Sequence, residues 1–554
     1  MAVIYGINGP VLKVSGRGFA VAEMVTINGK PGEVIAISPS GATIQVYEST
    51  AGLRPGVEVV GTGRPMSVTM RPGIMGQIFD GIMRPLKDPE AENFTYSVRV
   101  LVEEGQALRE GEIFAEAAET PLITYKATVP TGLSGMVINR APDGEYRVDD
   151  TIITLSMSQR LPGQTESDEA ESPQISLTLS QTWPIRVPRP VAKRYPPDTP
   201  LITGQRIIDS LFPIAKGGAC AIPGGFGTGK TMTQHQLAKW CDADIIVYIG
   251  CGERGNEMTE VLEDFGKLKD PKSGQPLLAR TVLIANTSDM PVAAREAGIY
   301  TGITLAEFYR DMGYHVALMA DSTSRWAEAL RELSSRLEEI PAEEGYPAYL
   351  ATRLAAFYGR AGYVKNLNGT SGSITIIGAV SPQGADFSEP VTLHTKRFTR
   401  CYWALDRRLA YARHFPAIDW MTSYSGYAPD LEEWYVENIS PKFPEYRRQI
   451  LKILQEENAL QEIVKLIGSD ALSDAQRLTM SIARVIRQGF AQQNAYHPID
   501  TYTPPARQFE MMEIILNLYE TLQGQLAQGI AIPENHPAFE EIINMKYNRL
   551  LAQL

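Results

Sequence analysis

The chain has 554 residues, 44% of them apolar and 21% charged, with a formal net charge of −12. That length exceeds one compact domain and predicts three or four. The acidic balance argues against broad electrostatic binding to nucleic acid or anionic lipid. No apolar run approaches the roughly 20 residues needed to span a bilayer. The opening "MAVIYGINGPVLKVSG" has no basic region followed by a long apolar run, so it does not read as a signal peptide. Cys220, Cys241, Cys251 and Cys401 show no C-x-x-C spacing, which points to a reducing compartment and no structural zinc. A cytoplasmic protein is the expectation.

Residues 1–69 read as short strands and glycine turns. In "TIQVY", Ile44 and Val46 face one way and Thr43, Gln45 and Tyr47 the other, the period of a half-buried strand. "NGKPG" and "SPSG" supply turns, and a small β-barrel or sandwich is expected. Residues 70–185 stay rich in glycine, proline and β-branched residues, with strands expected in "ATVPTGLSGMV" and "YRVDDTIITL". The acidic stretch "GQTESDEAESPQ", residues 163–174, reads as a solvated loop.

From 186 to 425 the pattern changes. Apolar runs at "GACAI", "IIVYI", "TVLIAN", "HVALMA" and "SITIIG" alternate with segments of helical spacing. That alternation predicts a mainly parallel sheet with helices on both faces. Residues 426–554 read as a helical bundle. In "RRQILKILQEENALQEIVKLIG", Ile450, Ile453, Leu454, Leu460, Ile463, Val464 and Ile467 make one apolar stripe closed by Gly468. Met512, Ile515, Tyr519 and Leu522 repeat the pattern.

"GGFGTGKT" completes G-x-x-x-x-G-K-[ST], with Gly224, Gly225, Phe226, Gly227, Thr228, Gly229, Lys230 and Thr231 between an apolar strand and a helix-compatible segment. The glycines let backbone N–H groups curl around phosphates, and the helix adds its positive end. Lys230 is expected to neutralise the β- and γ-phosphates and the Thr231 hydroxyl to reach Mg²⁺. "HVALMAD" ends in Asp321, either a carboxylate for the Mg²⁺ water shell or an ordinary helix N-cap. "IIVYIGCGERGNEM" empties into Glu253 and Arg254. Such a carboxylate can polarise an attacking water, and the arginine can steady charge on the transferring group. Glu257 is a rival carboxylate, and spacing alone does not choose between them.

"PGGFGTGKT", "GCGERGNEM", "PAEEGYPAYLATRLAAFYGRAG", "AVSPQGADFSEPVT" and "RRLAYARHFPAIDW" together resemble the catalytic A subunit of the V-type and archaeal-type rotary ATPases. The likeness extends over nearly the whole chain. It implies an N-terminal β-barrel crown, a mainly β insertion at 70–185, a RecA-like P-loop domain at 186–425 and a C-terminal helical domain. It places Glu253, in "GER", as the water-activating residue, with Arg254 beside it and Asp321 on the metal's side. Phe415 in "RHFPAI" and Tyr496 in "QNAYHPID" would line the adenine pocket. ATP or ADP and Mg²⁺ are the implied cofactors.

The implied partners begin with non-catalytic B subunits, which take every second place in a hexameric ring and supply an Arg finger. A central rotary stalk, a peripheral stalk and a membrane sector carrying H⁺ or Na⁺ complete the set. No nucleic acid is expected. The site would lie at the cytoplasmic face of a membrane through other subunits. Two positions depart from relatives: Gly225 stands where Ala usually follows the first glycine, and Thr228 stands where eukaryotic vacuolar chains carry Cys. A non-catalytic ring subunit and another RecA-like hexameric ATPase are the alternative readings.

Overall fold

The computed structural model describes residues 2–86, 94–157, 173–468 and 471–548. Most of the acidic stretch, residues 163–172, lies outside them. The chain forms two compact units, Met1–Tyr195 with Ala243–Ile376, and Pro196–Asp242 with Ile377–Leu554.

The first unit opens with six strands, β1 (Ala2–Asn8), β2 (Val11–Ser15), β3 (Glu23–Ile27), β4 (Lys30–Ser38), β5 (Gly41–Val46) and β6 (Glu58–Pro65). They close a barrel in the order β1-β2-β5-β4-β3-β6. Asn28 and Gly29 join β3 to β4 with φ of 48° and 80°. Positive φ at both central positions matches the right-handed twist of a hairpin, and Asn-Gly tolerates it best. Ile4, Leu12, Val14, Val25, Ile27, Val34, Ile44 and Val46 fill the interior.

The expected half-buried β5 is covered on both faces: Gln45 and Tyr47 are buried along with Ile44 and Val46. The Tyr47 hydroxyl donates to Glu33 Oε2 at 2.5 Å, and Arg186 donates to both Glu33 oxygens and both Glu296 oxygens at 2.8–3.1 Å. Period alone does not reveal a second face that is covered through polar side chains.

Two four-stranded antiparallel sheets follow. One runs Ala107–Leu108, Gly135–Arg140, Ile153–Met157, Gln174–Leu177; the other runs Thr124–Thr128, Ile113–Ala118, Tyr96–Val100, Gly144–Tyr146. The short strand Ile78–Phe79 instead joins the parallel sheet beside Thr281–Thr287. In that sheet Ile245–Glu253 lies between Thr281–Thr287 and His315–Asp321, all parallel. These strands are buried almost throughout, as continuous apolar runs demand when helices cover both faces.

Strand Ser371–Val380 carries the chain into the second unit. There Ala219–Pro223 pairs in parallel with Cys401–Tyr402, which pairs antiparallel with Tyr424–Ser425. Helices Phe443–Ile467, Asp474–Val485, Pro505–Ala527 and Pro537–Asn544 form the bundle. A capping box between Ser473 and Gln476 starts the second of these. The stripe on Phe443–Ile467 is buried from Ile450 to Leu460 but Ile463 is exposed. The apolar spacing outlasts the packing that buries it. Inside the buried stretch sits Glu457, paired with Arg487 at 2.8 Å. Among the described residues no helix is long and apolar enough to cross a membrane.

Arg206 and Asp500 form a fully buried ion pair at 2.7 Å. Removing one partner leaves an uncompensated buried charge, so Asp500→Ala should cost about 3–5 kcal/mol. Asp474→Ala, which breaks a largely exposed pair with Arg477, should cost under about 1 kcal/mol. Thermal melting of the full-length variants side by side checks the contrast.

Candidate functional site

The fully buried strand Ala219–Pro223 feeds directly into the glycine loop. Gly224 N–H donates to Val380 O at 3.1 Å, which anchors the loop's first residue. Gly227 and Gly229 have φ of 74° and 91°, where a side chain would be strained. Thr228 Oγ1 donates to Gly225 O at 2.8 Å, bracing the loop from within. Lys230 opens the helix Lys230–Trp240. Its Nζ donates to Gly224 O at 2.7 Å and Gly225 O at 3.0 Å, so the ammonium is held over the loop's own backbone. Thr231 follows it in the first turn, partly exposed. A Cβ at Gly225 would lie 2.5 Å from Arg407 Nε, at the flexible end of a side chain able to move aside.

Gly227 and Gly229 also line a cavity of about 930 Å³ together with Met232, Phe415 and Tyr496. The Phe415 ring stands 3.5 Å from where a Gly229 Cβ would be. Tyr496 is 83% exposed, with its hydroxyl 3.8 Å from Met232 Sδ. Two aromatic residues far apart in sequence thus share one cavity with the loop. Phe226 is 84% exposed and does not line this cavity. The cavity also uses Gln492, Asn494, Lys546 and Tyr547, which sequence reasoning missed. Only the closeness of Gln492 and Asn494 to Tyr496 in "AQQNAYHP" could have flagged any of them.

In the other unit, Glu253 closes strand Ile245–Glu253 just after a register shift that follows Cys251. Gly252 has φ of 71°, and a Cβ there would lie 2.8 Å from Arg325 Cβ. Glycine is what lets Arg325 come so close. Burial, the Asp321 charge and a hydrogen bond with Glu257 push the Glu253 carboxyl up to about 8, with Arg325 pulling the other way. At neutral pH these surroundings favour the protonated form of the Glu253 carboxyl. Glu257 lies in the first turn of helix Gly255–Lys267, and Arg254 is the exposed residue at its N-cap.

Asp321 ends strand His315–Asp321, is 4% exposed and accepts from the Tyr248 hydroxyl at 3.1 Å. The residue capping helix Thr323–Arg336 is Ser322, so Asp321 is not its N-cap. Arg325 pairs with Glu328 at 2.9 Å and bears on Glu253 and Glu257. It sits four residues past Asp321 in "DSTSRW", a signal the sequence offered. Carboxylate oxygens such as those of Asp321 are the hard donors a divalent cation takes.

A buried parallel strand, a glycine loop and a helix headed by lysine define a P-loop nucleotide-binding protein. The family model "ATP synthase alpha/beta family, nucleotide-binding domain" matches residues 204–425. The "C-terminal domain of V and A type ATP synthase" matches 432–535. The barrel-sandwich and β-barrel domains of the same family match 89–186 and 4–63.

The chain is 55% identical to the V-type ATP synthase alpha chain 2 of Clostridium tetani, over 99% of this chain and 94% of that one. It is 53% identical to the V-type ATP synthase alpha chain of Halothermothrix orenii, over 98% and 94%. The corresponding chain of the A-type ATP synthase of Methanopyrus kandleri is also 53% identical, over 96% and 91%. The assembled ATPase EscN of the enteropathogenic E. coli type III secretion system shares the fold. Its TM-score is 0.68 at 21% identity, over 93% of this chain and all of that one. The chain belongs to the ATP synthase alpha/beta family, among the alpha (A) chains of the V-type and A-type enzymes.

A carboxyl that titrates near 8 when folded and near 4.3 when unfolded favours the fold only while protonated. Its contribution is complete below the unfolded value and is lost as pH rises through about 8. Glu253→Gln should therefore melt progressively higher than the parent as pH rises from 5.5 to 8. The gap should level off above that. Parallel melting curves would expose a normal carboxyl instead.

Proposed function

We propose that this chain is the catalytic subunit of a V/A-type rotary ATPase, coupling ATP hydrolysis or synthesis to H⁺ or Na⁺ transport by a membrane sector built from other subunits. The observation that carries the reading is a complete phosphate loop together with a carboxylate, Glu253, ending its own parallel strand. A subunit that only binds nucleotide has no use for that carboxylate. In this reading residues 1–69 form the crown barrel, 70–185 the insertion, 186–425 the nucleotide domain and 426–554 the helical domain.

The loop N–H groups and Lys230 hold the β- and γ-phosphates, and the Lys230 ammonium exchanges the Gly224 and Gly225 carbonyls for phosphate oxygens. Thr231, through its hydroxyl, and Asp321, through the water shell, would hold Mg²⁺. When bound, the cation supplies charge neutralisation on the β- and γ-oxygens. Phe415 and Tyr496 take the adenine between aromatic surfaces. Glu253 orients the attacking water and accepts its proton as the γ-phosphoryl group transfers. For that its carboxyl must first ionise. Arg254 steadies the charge of the transferring group, and a further arginine comes from the neighbouring B subunit.

Turnover then requires the ring in which A and B subunits alternate. Product release is tied to rotation of a central stalk against a peripheral stalk, at the cytoplasmic face of a membrane. The chain alone should hydrolyse Mg-ATP weakly, and mixing with its B partner should raise turnover. Glu253→Gln should lower turnover of the mixed ring by about 10²–10⁴-fold. A mixed ring indifferent to this substitution would sink the assignment of the base. Turnover stimulated by RNA or DNA would favour a translocase.

A further inference from the structure

The last two described elements are helix Pro537–Asn544 and the short 3-10 helix Met545–Tyr547. Phe539, Ile542, Ile543 and Met545 are buried, so the segment is docked rather than trailing. Docking is close: a Cβ at Gly489 would lie 3.1 Å from Ile543 Cα and 3.2 Å from Ile542 O. Arg507 Nη2 donates to Met545 O at 3.1 Å and also to Asn548 O, tying down the far end.

At the cavity the segment presents charge, not only bulk. Lys546 is 5% exposed. Its Nζ donates to Gln488 O at 2.6 Å and reaches Gln492 Oε1 at 3.5 Å. Gln492 Nε2 in turn donates to Arg413 O at 3.1 Å. The ammonium thereby fixes which end of the Gln492 amide faces each neighbour. The adjacent Gln493 N–H donates to Phe415 O at 2.8 Å. Tyr547 packs on His497 with ring centroids 4.7 Å apart, directly after Tyr496. Burying an ammonium is costly, and an apolar plug would fill the same space without that cost. What the ammonium adds is orientation of the two stretches that carry Phe415 and Tyr496.

We propose that Pro537–Tyr547 is a clasp that positions the base end of the nucleotide cavity, with Lys546 as its positioning residue. The proposal rests on the nucleotide-binding reading above. The clasp acts on the adenosine moiety and leaves the phosphate end, held by the loop, alone. It makes the C-terminal segment a determinant of how long nucleotide stays bound.

The test compares Mg-ADP with Mg-pyrophosphate, which keeps the two phosphates and lacks the adenosine, on the full chain by titration calorimetry. Lys546→Met should raise the Kd for ADP about tenfold, with faster release of a fluorescent ADP analogue, and leave pyrophosphate within twofold. Lys546→Arg should restore ADP binding to within about threefold of the parent. Tyr547→Leu, which keeps the ammonium, should show a smaller loss in the same direction and serves if Lys546→Met does not fold. Unchanged ADP binding in both variants overturns the clasp, and so does an equal loss for pyrophosphate. A parent chain that binds pyrophosphate no more weakly than ADP would instead defeat the nucleotide reading itself.

Discussion

The Arg206 guanidinium donates to Phe490 O, Gln492 O, Asp500 Oδ1 and Thr503 Oγ1 at 2.7–2.8 Å, with no exposed surface. Its backbone N–H adds a bond to Gln493 Oε1 at 2.9 Å. Each of these acceptors belongs to the stretch that runs up to and past Tyr496. A planar fork with donors in fixed directions can hold several chain segments in one geometry, which a lysine in that place could not. The aromatic side of the cavity therefore depends on a residue that never reaches it. Asp500 extends the arrangement by accepting from Asn494 N–H at 2.6 Å, two residues before Tyr496.

A related principle governs the acidic cluster. Glu253, Glu257 and Asp321 gather where one strand, its following helix and a parallel neighbour end, with Arg325 as counter-charge. Burial and the neighbouring Asp321 charge raise the Glu253 carboxyl above the usual carboxylate range. The positive φ of Gly252 brings Arg325 near enough to bias the group without neutralising it. The proton affinity of Glu253 is thus set by its surroundings. A ligand that brings positive charge changes it.

The phosphate loop was legible because its chemistry is local. Glycines at the required φ, a lysine at the helix start and a threonine beside it are all dictated by backbone curvature within eight residues. Parallel strands were legible because double-sided burial writes continuous apolar runs. Legibility failed where burial is achieved through charge: β5 is closed on its second face by Tyr47, Glu33 and Arg186, and Glu457 sits inside the helical core with Arg487. It also failed at Ile463 on Phe443–Ile467, which continues the apolar spacing yet is exposed. Hydrophobic period records what a segment could bury, not what reaches it.

By itself, then, the sequence determined the order of β-rich, α/β and helical parts, the loop that cradles phosphate, and the identities of Glu253, Asp321, Phe415 and Tyr496 as residues to watch. The order of parts and the loop follow from short-range rules of spacing and backbone conformation, whereas the choice of Glu253 over Glu257 and the singling out of Phe415 and Tyr496 rest on the family resemblance. Tertiary structure alone decided that Phe415 and Tyr496 share one cavity, that Lys546 and Tyr547 line it, and that burial and the Asp321 charge raise the Glu253 carboxyl. Each of these outcomes depends on desolvation and on contacts between residues far apart in the chain. Electrostatic energies inside a protein vary with position in the fold, so no local pattern of residues can state them in advance.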